Sequence, residues 1–291
     1  MKLNRAHTPV LLPRVLETLG NIRGRTIVDA TFGAGGYSRA FLERGAKVIA
    51  FDRDPSVLLF AGELKKEHGD DFRFINEPFS HILDIGSQAS DIVFDFGVSS
   101  MQIDSPERGF SWRFDAPLDM RMGGGESAAE LIEKSSAEEL ARILREYGDV
   151  GKAAAIARAI KKMPPKTTGE LRELVFNPGD VAPVFQALRI AVNDELGEIE
   201  RALDAVSALL PDGGACVCVT FHSLEDRIVK QKFREWATPA GDPRLPQKPA
   251  PFAILKTFRP DESELAANPR ARSSHLRAVR KIDKISEKEL L

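Results

Sequence analysis

Residues 26–36 read TIVDATFGAGG, a short apolar run that closes on three glycines. A helix-compatible stretch follows over residues 37–44, and Gly45 stands where a glycine commonly ends a helix. A second apolar run, over residues 47–51, ends at Asp52. Short apolar strands that alternate with helices indicate a parallel sheet covered on both faces. The sequence therefore predicts an α/β fold.

The alternation of strands and helices is interrupted in the middle of the chain. Residues 104–122 resemble a loop, and a long amphipathic helix is predicted over residues 184–210. Between them only helical spacing is found, including a capping box at Thr167 and Glu170. This pattern predicts a helical insertion between strands of the sheet. The strands outside it are predicted at residues 26–29, 47–51, 72–75, 91–95, 215–221, 252–258 and 275–282.

Composition narrows the class of protein. The 291 residues are 43% hydrophobic and 29% charged, which is typical of a globular chain. There is no apolar run near the ~20 residues of a membrane span and no secretory signal pattern, so we expect a soluble cytoplasmic protein without a membrane partner. Two cysteines exclude a disulfide scaffold and a cysteine-rich zinc module, and no metal site is predicted. With a net charge of −2, a nucleic acid would have to meet a local basic patch.

The glycine loop predicts a cofactor site. Gly33, Gly35 and Gly36 lie between a strand and a helix, where a ligand can approach the backbone closely. Asp52 follows Gly33 by 19 residues, the spacing at which a carboxylate takes the ribose hydroxyls of an adenosine cofactor. Position 38 is serine, so the dinucleotide fingerprint is incomplete, and no Walker motif occurs. S-adenosylmethionine is favoured over NAD, with a tight turn and an ordinary surface acid as the alternative.

Two further strand ends carry candidate catalytic residues. Asp95 ends the fourth strand, where it could accept the N–H bonds of a methyl-accepting amine, although a strand-end cap is the alternative. His222 and Asp226 follow the next strand at the same sheet edge. The spacing from Ser223 to Asp226 also fits a capping box, which would explain these residues without any chemistry.

Two segments predict contacts with RNA. The first interleaves basic and aromatic residues that could hold phosphates and stack on unpaired bases: Arg108, Phe110, Trp112 and Arg113. A small satellite core under a long loop is the alternative. The second segment, residues 268–281, includes Arg270 and Arg272, for which a solvated face is the alternative.

Eight motifs in one order identify a family. They closely resemble the bacterial 16S ribosomal RNA cytosine-N4 methyltransferases, the RsmH or MraW family, and they span nearly the whole chain. The motifs are HTPVLL (7–12), DATFGAGGYSR (29–39), AFDRDP (50–55), DFGVSS with Gln102 (95–102), ERGFSWRFDAPLDMRM (107–122), FQALRIAVNDELGEIE (185–200), FHSLEDRIVK (221–230) and NPRARSSHLR (268–277).

The resemblance implies a Rossmann-like S-adenosylmethionine-dependent methyltransferase domain over residues 1–103 and 184–291. Residues 104–183 would form an inserted all-helical domain that recognises the substrate. The implied reaction is methylation of N4 of a cytidine in the decoding region of small-subunit RNA. The family's cofactor contacts carry over onto Gly35, Gly36, Tyr37, Asp52, Phe79, Asp95 and Gln102.

Three departures and two alternatives accompany this interpretation. Tyr37 replaces a histidine found in many members, Ala182-Pro183-Val184 replaces Thr-Arg-Thr, and the insertion upstream of residue 182 is short. The last two departures concern the RNA-facing surface. The alternatives are an RNA-binding ribosome-assembly factor with secondary or lost catalysis, and a methyltransferase that acts on DNA or protein. The oligomeric state is open, with a homodimer as one option.

Overall fold

The computed structural model describes residues 9–239 and 249–282, so His7 and Thr8 of the HTPVLL motif lie outside the described residues. The chain divides into two compact units, Met1–Gly97 with Gly197–Leu291, and Val98–Leu196. The inserted unit is longer than the predicted residues 104–183. At its far end it includes a helix whose Val184, Phe185 and Leu188 are buried in the core of that unit.

The first unit is built on a seven-stranded sheet. The strand order is β3-β2-β1-β4-β5-β7-β6, with β1 to β5 parallel and the last two strands antiparallel to their neighbours. This is a Rossmann-like, doubly wound arrangement. It confirms the predicted α/β fold, although β6 is shorter than predicted. The strands are β1 Thr26–Asp29, β2 Lys47–Phe51, β3 Phe72–Ile75, β4 Asp91–Asp95, β5 Ala215–Thr220, β6 Phe252–Ile254 and β7 His275–Lys281.

Strand β5 shows why this sheet excludes water. All six of its residues are buried, as expected for a parallel strand covered on both faces. Cys216 and Cys218 are completely buried with their Sγ atoms 3.8 Å apart. Both therefore serve as small apolar residues of the core.

Helices cover the sheet. The predicted helix over residues 184–210 is in fact two helices, because Asp194 adopts a left-handed conformation with φ 46° and ends the first. The helices of this unit are α1 Leu12–Leu19, α2 Gly36–Leu42, α3 Leu58–His68, α10 Glu195–Leu209, α11 Ser223–Trp236 and α12 Glu262–Ala267.

The inserted unit is helical and has its own apolar core. The capping box predicted at Thr167 is confirmed, and Ser127 and Ser136 form two more. These caps satisfy backbone N–H groups that a helix start leaves unpaired. The helices are α4 Ser100–Asp104, α5 Ala128–Lys134, α6 Ala137–Gly148, α7 Ala153–Lys162, α8 Thr168–Glu173 and α9 Val181–Asn193.

Across residues 9–239 and 249–282, none of the helices is long and apolar enough to cross a bilayer.

Candidate active site

Four parallel strands bring the predicted residues of the first unit to one edge of the sheet. Strands β1, β2, β4 and β5 run in the same direction, so their carboxyl ends meet there. Asp29 and Asp95 end their strands and Asp52 follows the end of β2. The edge is therefore acidic, and it lies where ligands bind in open α/β sheets.

The glycine loop after β1 depends on the absence of side chains. Gly33 and Gly35 have positive φ values of 53° and 79°. A Cβ atom at Gly35 would lie 2.8 Å from the Phe32 ring, and one at Gly36 would lie 2.5 Å from the Pro9 ring. The backbone conformation and the close packing therefore both require glycine in this loop.

The Asp52 carboxylate is oriented by the backbone. Its Oδ2 accepts a hydrogen bond from the Gly33 N–H at 2.8 Å, and its Oδ1 accepts one from the Asp54 N–H at 2.9 Å. Burial raises the pKa of Asp52, against the effect of these bonds. Each oxygen keeps a second lone pair, so the carboxylate can still accept hydrogen bonds from a pair of hydroxyl groups.

Asp29 is completely buried at the end of β1. The Ser38 hydroxyl donates to its Oδ2 at 2.6 Å, and the Thr31 N–H lies 3.4 Å from its Oδ1. Burial raises the pKa of Asp29 to about 6. Ser38, which stands where a dinucleotide fingerprint has its third glycine, thus orients an acid at the sheet edge.

Asp95 is held through its backbone, and one oxygen of its carboxyl group has no hydrogen-bond partner among the described residues. The Asp95 N–H donates to Thr31 Oγ1 at 2.7 Å. Within the described residues, the buried Oδ1 of Asp95 has no hydrogen-bond partner. Burial, followed by the charges of Asp29 and Glu225, raises the pKa of Asp95 well above its usual value. Buried polar atoms usually have a hydrogen-bond partner, so Asp95 Oδ1 is an acceptor that a ligand at this edge can use.

Glu225 is a site residue that the sequence analysis did not identify. It is completely buried, and its Oε2 accepts hydrogen bonds from the N–H groups of Phe221 and His222 at 2.7 and 3.2 Å. Its Oε1 lies 3.0 Å from His222 Nε2, and a Cβ atom at Gly97 would be 3.7 Å from that oxygen. The capping box of α11 therefore pairs His222 with Glu225, and the predicted pairing of Ser223 with Asp226 is wrong.

Asp226 lies in an ion pair. Its two carboxylate oxygens accept hydrogen bonds from Arg277 Nε and Nη2 at 2.7 and 2.9 Å, and His275 Nδ1 is 3.4 Å away. Burial opposes ionisation, but the bonds from Arg277 hold the pKa of Asp226 below its usual value. This pair joins α11 to β7, and an acid so held is poorly suited to accept a proton.

Phe79 forms part of an aromatic cluster beside β4. Its ring centroid is 5.7 Å from that of Phe94 and 5.8 Å from that of Phe96. Phe79 is partly exposed, whereas Phe94 and Phe96 are buried beneath it. The cluster therefore offers one aromatic surface to a planar ligand.

The Tyr37 side chain is engaged within the protein. Its hydroxyl donates to the Val10 carbonyl oxygen, and the ring is buried. The next residue, Leu11, has a positive φ of 57°, and its N–H donates to Glu264 Oε1 at 3.2 Å. Tyr37 therefore anchors the segment around Val10, which leaves the backbone of Tyr37 as its means of contacting a cofactor.

Gln102 belongs to the inserted unit. Its Oε1 accepts a hydrogen bond from the Ser99 N–H at 3.0 Å, and its own N–H donates to Ser99 Oγ at 3.2 Å. These two bonds form the capping box of α4. The contact of Gln102 with a cofactor stays a prediction.

The predicted RNA-contacting residues of the inserted unit fall into two groups. Phe110 is only 9% exposed and belongs to the apolar core of that unit. Arg108 lies over the Phe110 ring and donates to the carbonyl oxygens of Arg121 and Met122 at 2.7 and 3.3 Å. For these two residues the structure corresponds to the satellite-core alternative.

The other group is at the surface. Trp112 is 37% exposed, and the Arg113 guanidinium lies 5.6 Å from the centroid of its ring. Phe114, which the sequence analysis did not select, is 49% exposed. Large exposed aromatic rings on a polar surface commonly mark a binding site.

The basic segment near β7 is also divided. Arg270 and Arg272 are exposed in a 3₁₀ segment over Pro269–Ser273. Arg277 pairs with Asp226, and Arg280 donates to the carbonyl oxygens of Gly213 and Thr18. The contact of Arg270 and Arg272 with a phosphate group stays a prediction.

This chain is similar to several known proteins. A family model described as "MraW methylase family" matches residues 4–282. "Ribosomal RNA small subunit methyltransferase H" from Chelativorans sp. (strain BNC1) is 49% identical over 295 residues, which cover 94% of this chain and 87% of that protein. The protein of the same name from Caulobacter vibrioides is 46% identical over 301 residues, with 95% and 96% covered. Among solved structures, TrmN from Thermus thermophilus aligns with 97% of this chain and 51% of its own, at 14% identity and a TM-score of 0.47.

Proposed function

The chain belongs to the MraW methylase family, and from that premise we propose that it transfers a methyl group from S-adenosylmethionine to N4 of a cytidine in the decoding region of small-subunit (16S) ribosomal RNA. One observation supports this proposal most directly. The buried Oδ1 of Asp95 has no partner among the described residues and lies at the acidic edge of the sheet. An acceptor in that position suits both a cationic cofactor and an amine substrate.

The acidic edge fits S-adenosylmethionine. Burial raises the pKa values of Asp29 and Asp95, and the charges of Asp29 and Glu225 raise that of Asp95 further, so this edge is rich in acids. S-adenosylmethionine brings a sulfonium and an ammonium group, whereas NAD would bring a negatively charged pyrophosphate. Nearby opposite charges favour the ionised form of a carboxyl group, and like charges disfavour it. The electrostatics of the site therefore favour the sulfonium cofactor.

Each cofactor contact that we propose uses an atom the fold leaves available. Asp52, oriented by two backbone amides, accepts the ribose hydroxyls. Phe79 contacts the adenine ring, and the backbone of Gly35, Gly36 and Tyr37 contacts the amino-acid end. The bound cofactor supplies an activated methyl group on a sulfonium sulfur.

The protein contributes alignment and exclusion of water. The exocyclic amine of cytosine is a weak nucleophile because its lone pair is delocalised. We propose that Asp95 Oδ1 accepts one of its N–H bonds and fixes the amine for in-line attack. His222, held 3.0 Å from Glu225, is a second group at this edge that can take up a proton. Asp226 acts as a positioning residue, because Arg277 already occupies both of its oxygens.

The proposed substrate also implies a partner and a cellular compartment. We propose that the RNA is recognised within the small ribosomal subunit, in the cytoplasm, and that the inserted unit makes the recognition. A homodimer stays a prediction, which light scattering of the purified protein would test.

A tritium-transfer assay tests the reaction. Methyl transfer would be measured on small subunits, on naked 16S RNA and on DNA, followed by nucleoside analysis of the product. We expect labelled N4-methylcytidine from one of the RNA substrates and none from DNA. RNA binding without transfer would instead support the assembly-factor alternative.

A further inference from the structure

Helix α7 and the loop after it present a surface with one sign of charge. Residues 152–166 contain five basic side chains and no acidic one. The helix buries its apolar face, including Ile156 and Ile160. Lys161 donates to the carbonyl oxygens of Ile132 and Glu133 at 3.0 and 2.9 Å, so its charge is used within the unit. The other four basic residues are exposed: Lys152, Arg158, Lys162 and Lys166.

The exposed aromatic residues lie on a loop that is bonded to the end of this surface. The Leu118 N–H donates to the Lys166 carbonyl oxygen at 2.9 Å. Thr168, completely buried, donates through its hydroxyl to the Phe114 carbonyl oxygen at 2.6 Å. The Gly169 N–H donates to Asp115 Oδ1 at 2.9 Å. The segment from Phe114 to Leu118 is therefore attached to residues 166–169.

This attachment depends on particular residues in both segments, Gly169 in one and Asp115 in the other. A Cβ atom at Gly169 would lie 2.6 Å from Asp115 Oδ1, so a larger residue there would displace the carboxylate. A hydrogen bond from the Thr167 side chain, followed by the one from the Gly169 N–H, holds the pKa of Asp115 below its usual value. The Phe114 carbonyl group is thus held in place, and the rings of Trp112 and Phe114 are both exposed.

We infer that Trp112 and Phe114, together with Lys162 and Lys166, form one surface of the inserted unit that binds unpaired RNA. Aromatic rings stack on bases of any sequence, and neighbouring lysines neutralise the backbone phosphates. The absence of any acidic side chain from residues 152–166 favours a polyanion over a protein partner. The inference rests on the proposed function and names the residues through which the inserted unit would hold its substrate.

The lysines can be tested through the salt dependence of binding. Lys162→Gln with Lys166→Gln would be compared with the matched pair Arg142→Gln and Arg145→Gln, which removes two exposed cations from α6. The probe is a decoding-region fragment of small-subunit RNA, with affinity measured across a range of salt concentrations. We expect the negative slope of log affinity against log salt to become shallower by about 1.4 for the lysine pair, because two phosphate contacts to a single strand are lost. The α6 pair should keep the original slope.

The aromatic residue can be tested separately. Phe114→Ser should weaken binding of the same fragment about tenfold, because one base loses its stacking partner. Leu59→Ser, which removes a 78% exposed apolar side chain from the other unit, is the control and should bind normally. S-adenosylmethionine affinity, measured by calorimetry, should be unchanged in every variant, which also shows that the site remains folded.

The outcomes separate this inference from the proposed function. An unaltered salt slope in the lysine pair, or full affinity in Phe114→Ser, would overturn the RNA surface even if the unsubstituted protein methylates RNA. Weaker binding to assembled subunits but normal binding to the naked fragment would also overturn it, and would point to a ribosomal protein. Failure of the unsubstituted protein to methylate any RNA would instead overturn the proposed function, and the binding measurements would still decide the surface.

Discussion

The ends of β2 and β4 carry the same kind of side chain in opposite surroundings. Both oxygens of Asp52 accept hydrogen bonds from backbone N–H groups, whereas the buried Oδ1 of Asp95 has no partner among the described residues. Leaving a buried polar group unsatisfied costs about 1–3 kcal/mol. Asp52 is thus an acceptor oriented by the fold, whereas Asp95 Oδ1 is an acceptor that we propose a ligand engages. The difference predicts that Asp52 shapes the cofactor site and that Asp95 takes part in the reaction.

The largest expected effect is at Asp95. Asp95→Ala should reduce methyl transfer by about a hundred- to a thousandfold, as when one oriented polar group is removed from an active site. Its thermal stability should not fall, since the substitution removes a carboxyl group whose buried Oδ1 has no hydrogen-bond partner among the described residues. Transfer assays together with thermal melts check both statements. A folded and fully active variant would show that the chemistry depends on His222 and Glu225 instead.

The second expected effect is at Asp29, and it appears as a change of protein stability with pH. Its pKa is about 6 in the folded protein and 3.8 ordinarily, so the unfolded chain releases this proton first as pH rises. The stabilising contribution of the protonated group is complete below pH 3.8 and is lost as pH rises to about 6. Asp29→Asn does not titrate and can still accept the Ser38 hydrogen bond. Its stability relative to the original protein should therefore increase by about 2.4 kcal/mol between pH 4 and pH 7.

Urea unfolding at several pH values measures this difference. Asp84→Asn, at an exposed position, is the matched control and should follow the pH profile of the original protein. If the Asp29→Asn profile were parallel to that of the original protein, Asp29 would be ionised throughout this range in the folded state. The buried acids at this edge of the sheet would then have a compensating positive charge nearby.

The smallest of the three effects is at Asp52. Asp52→Ala should weaken S-adenosylmethionine binding about tenfold to a hundredfold, through the loss of a charge-assisted hydrogen bond of about 1.5–3 kcal/mol. The N–H groups of Gly33 and Asp54 would also lose their acceptor, so some loss of stability should accompany it. Asp52→Asn, which retains one acceptor oxygen, separates the two effects. Unchanged affinity by calorimetry in both variants would remove Asp52 from the cofactor site.

The acids at the strand ends could be predicted because a few neighbouring residues in the sequence are enough to locate the end of a buried strand. An apolar run followed by a carboxylate is enough to place Asp52 and Asp95 at the ligand-binding edge. Glu225 could not be predicted in this way, because a glutamate in the first turn of a helix is usually a solvent-exposed cap. Only the packed structure shows that this cap is completely buried beside Gly97.

The aromatic loop shows a second limit of sequence patterns. Phe110 and Phe114 stand in the same segment with similar neighbours, and a loop has no periodicity to distinguish its inward from its outward side chains. Distant contacts make the choice: Phe110 joins the apolar core, whereas Thr168 holds the Phe114 carbonyl oxygen and Gly169 holds the Asp115 side chain. The location of the binding loop was predictable, but the identity of its exposed ring was not.

The position of β7 in the sheet has a consequence for how the chain is made. The fully buried β5 pairs with β4 on one side and with β7 on the other, although β7 follows it by more than fifty residues. Residues 98–196, which form the inserted unit, are synthesised before either β5 or β7. At about 5–20 residues per second, several seconds then pass before β7 can cover the open edge of β5. During that interval the apolar strand is exposed to other nascent chains, so efficient production should depend on the chaperones that meet it.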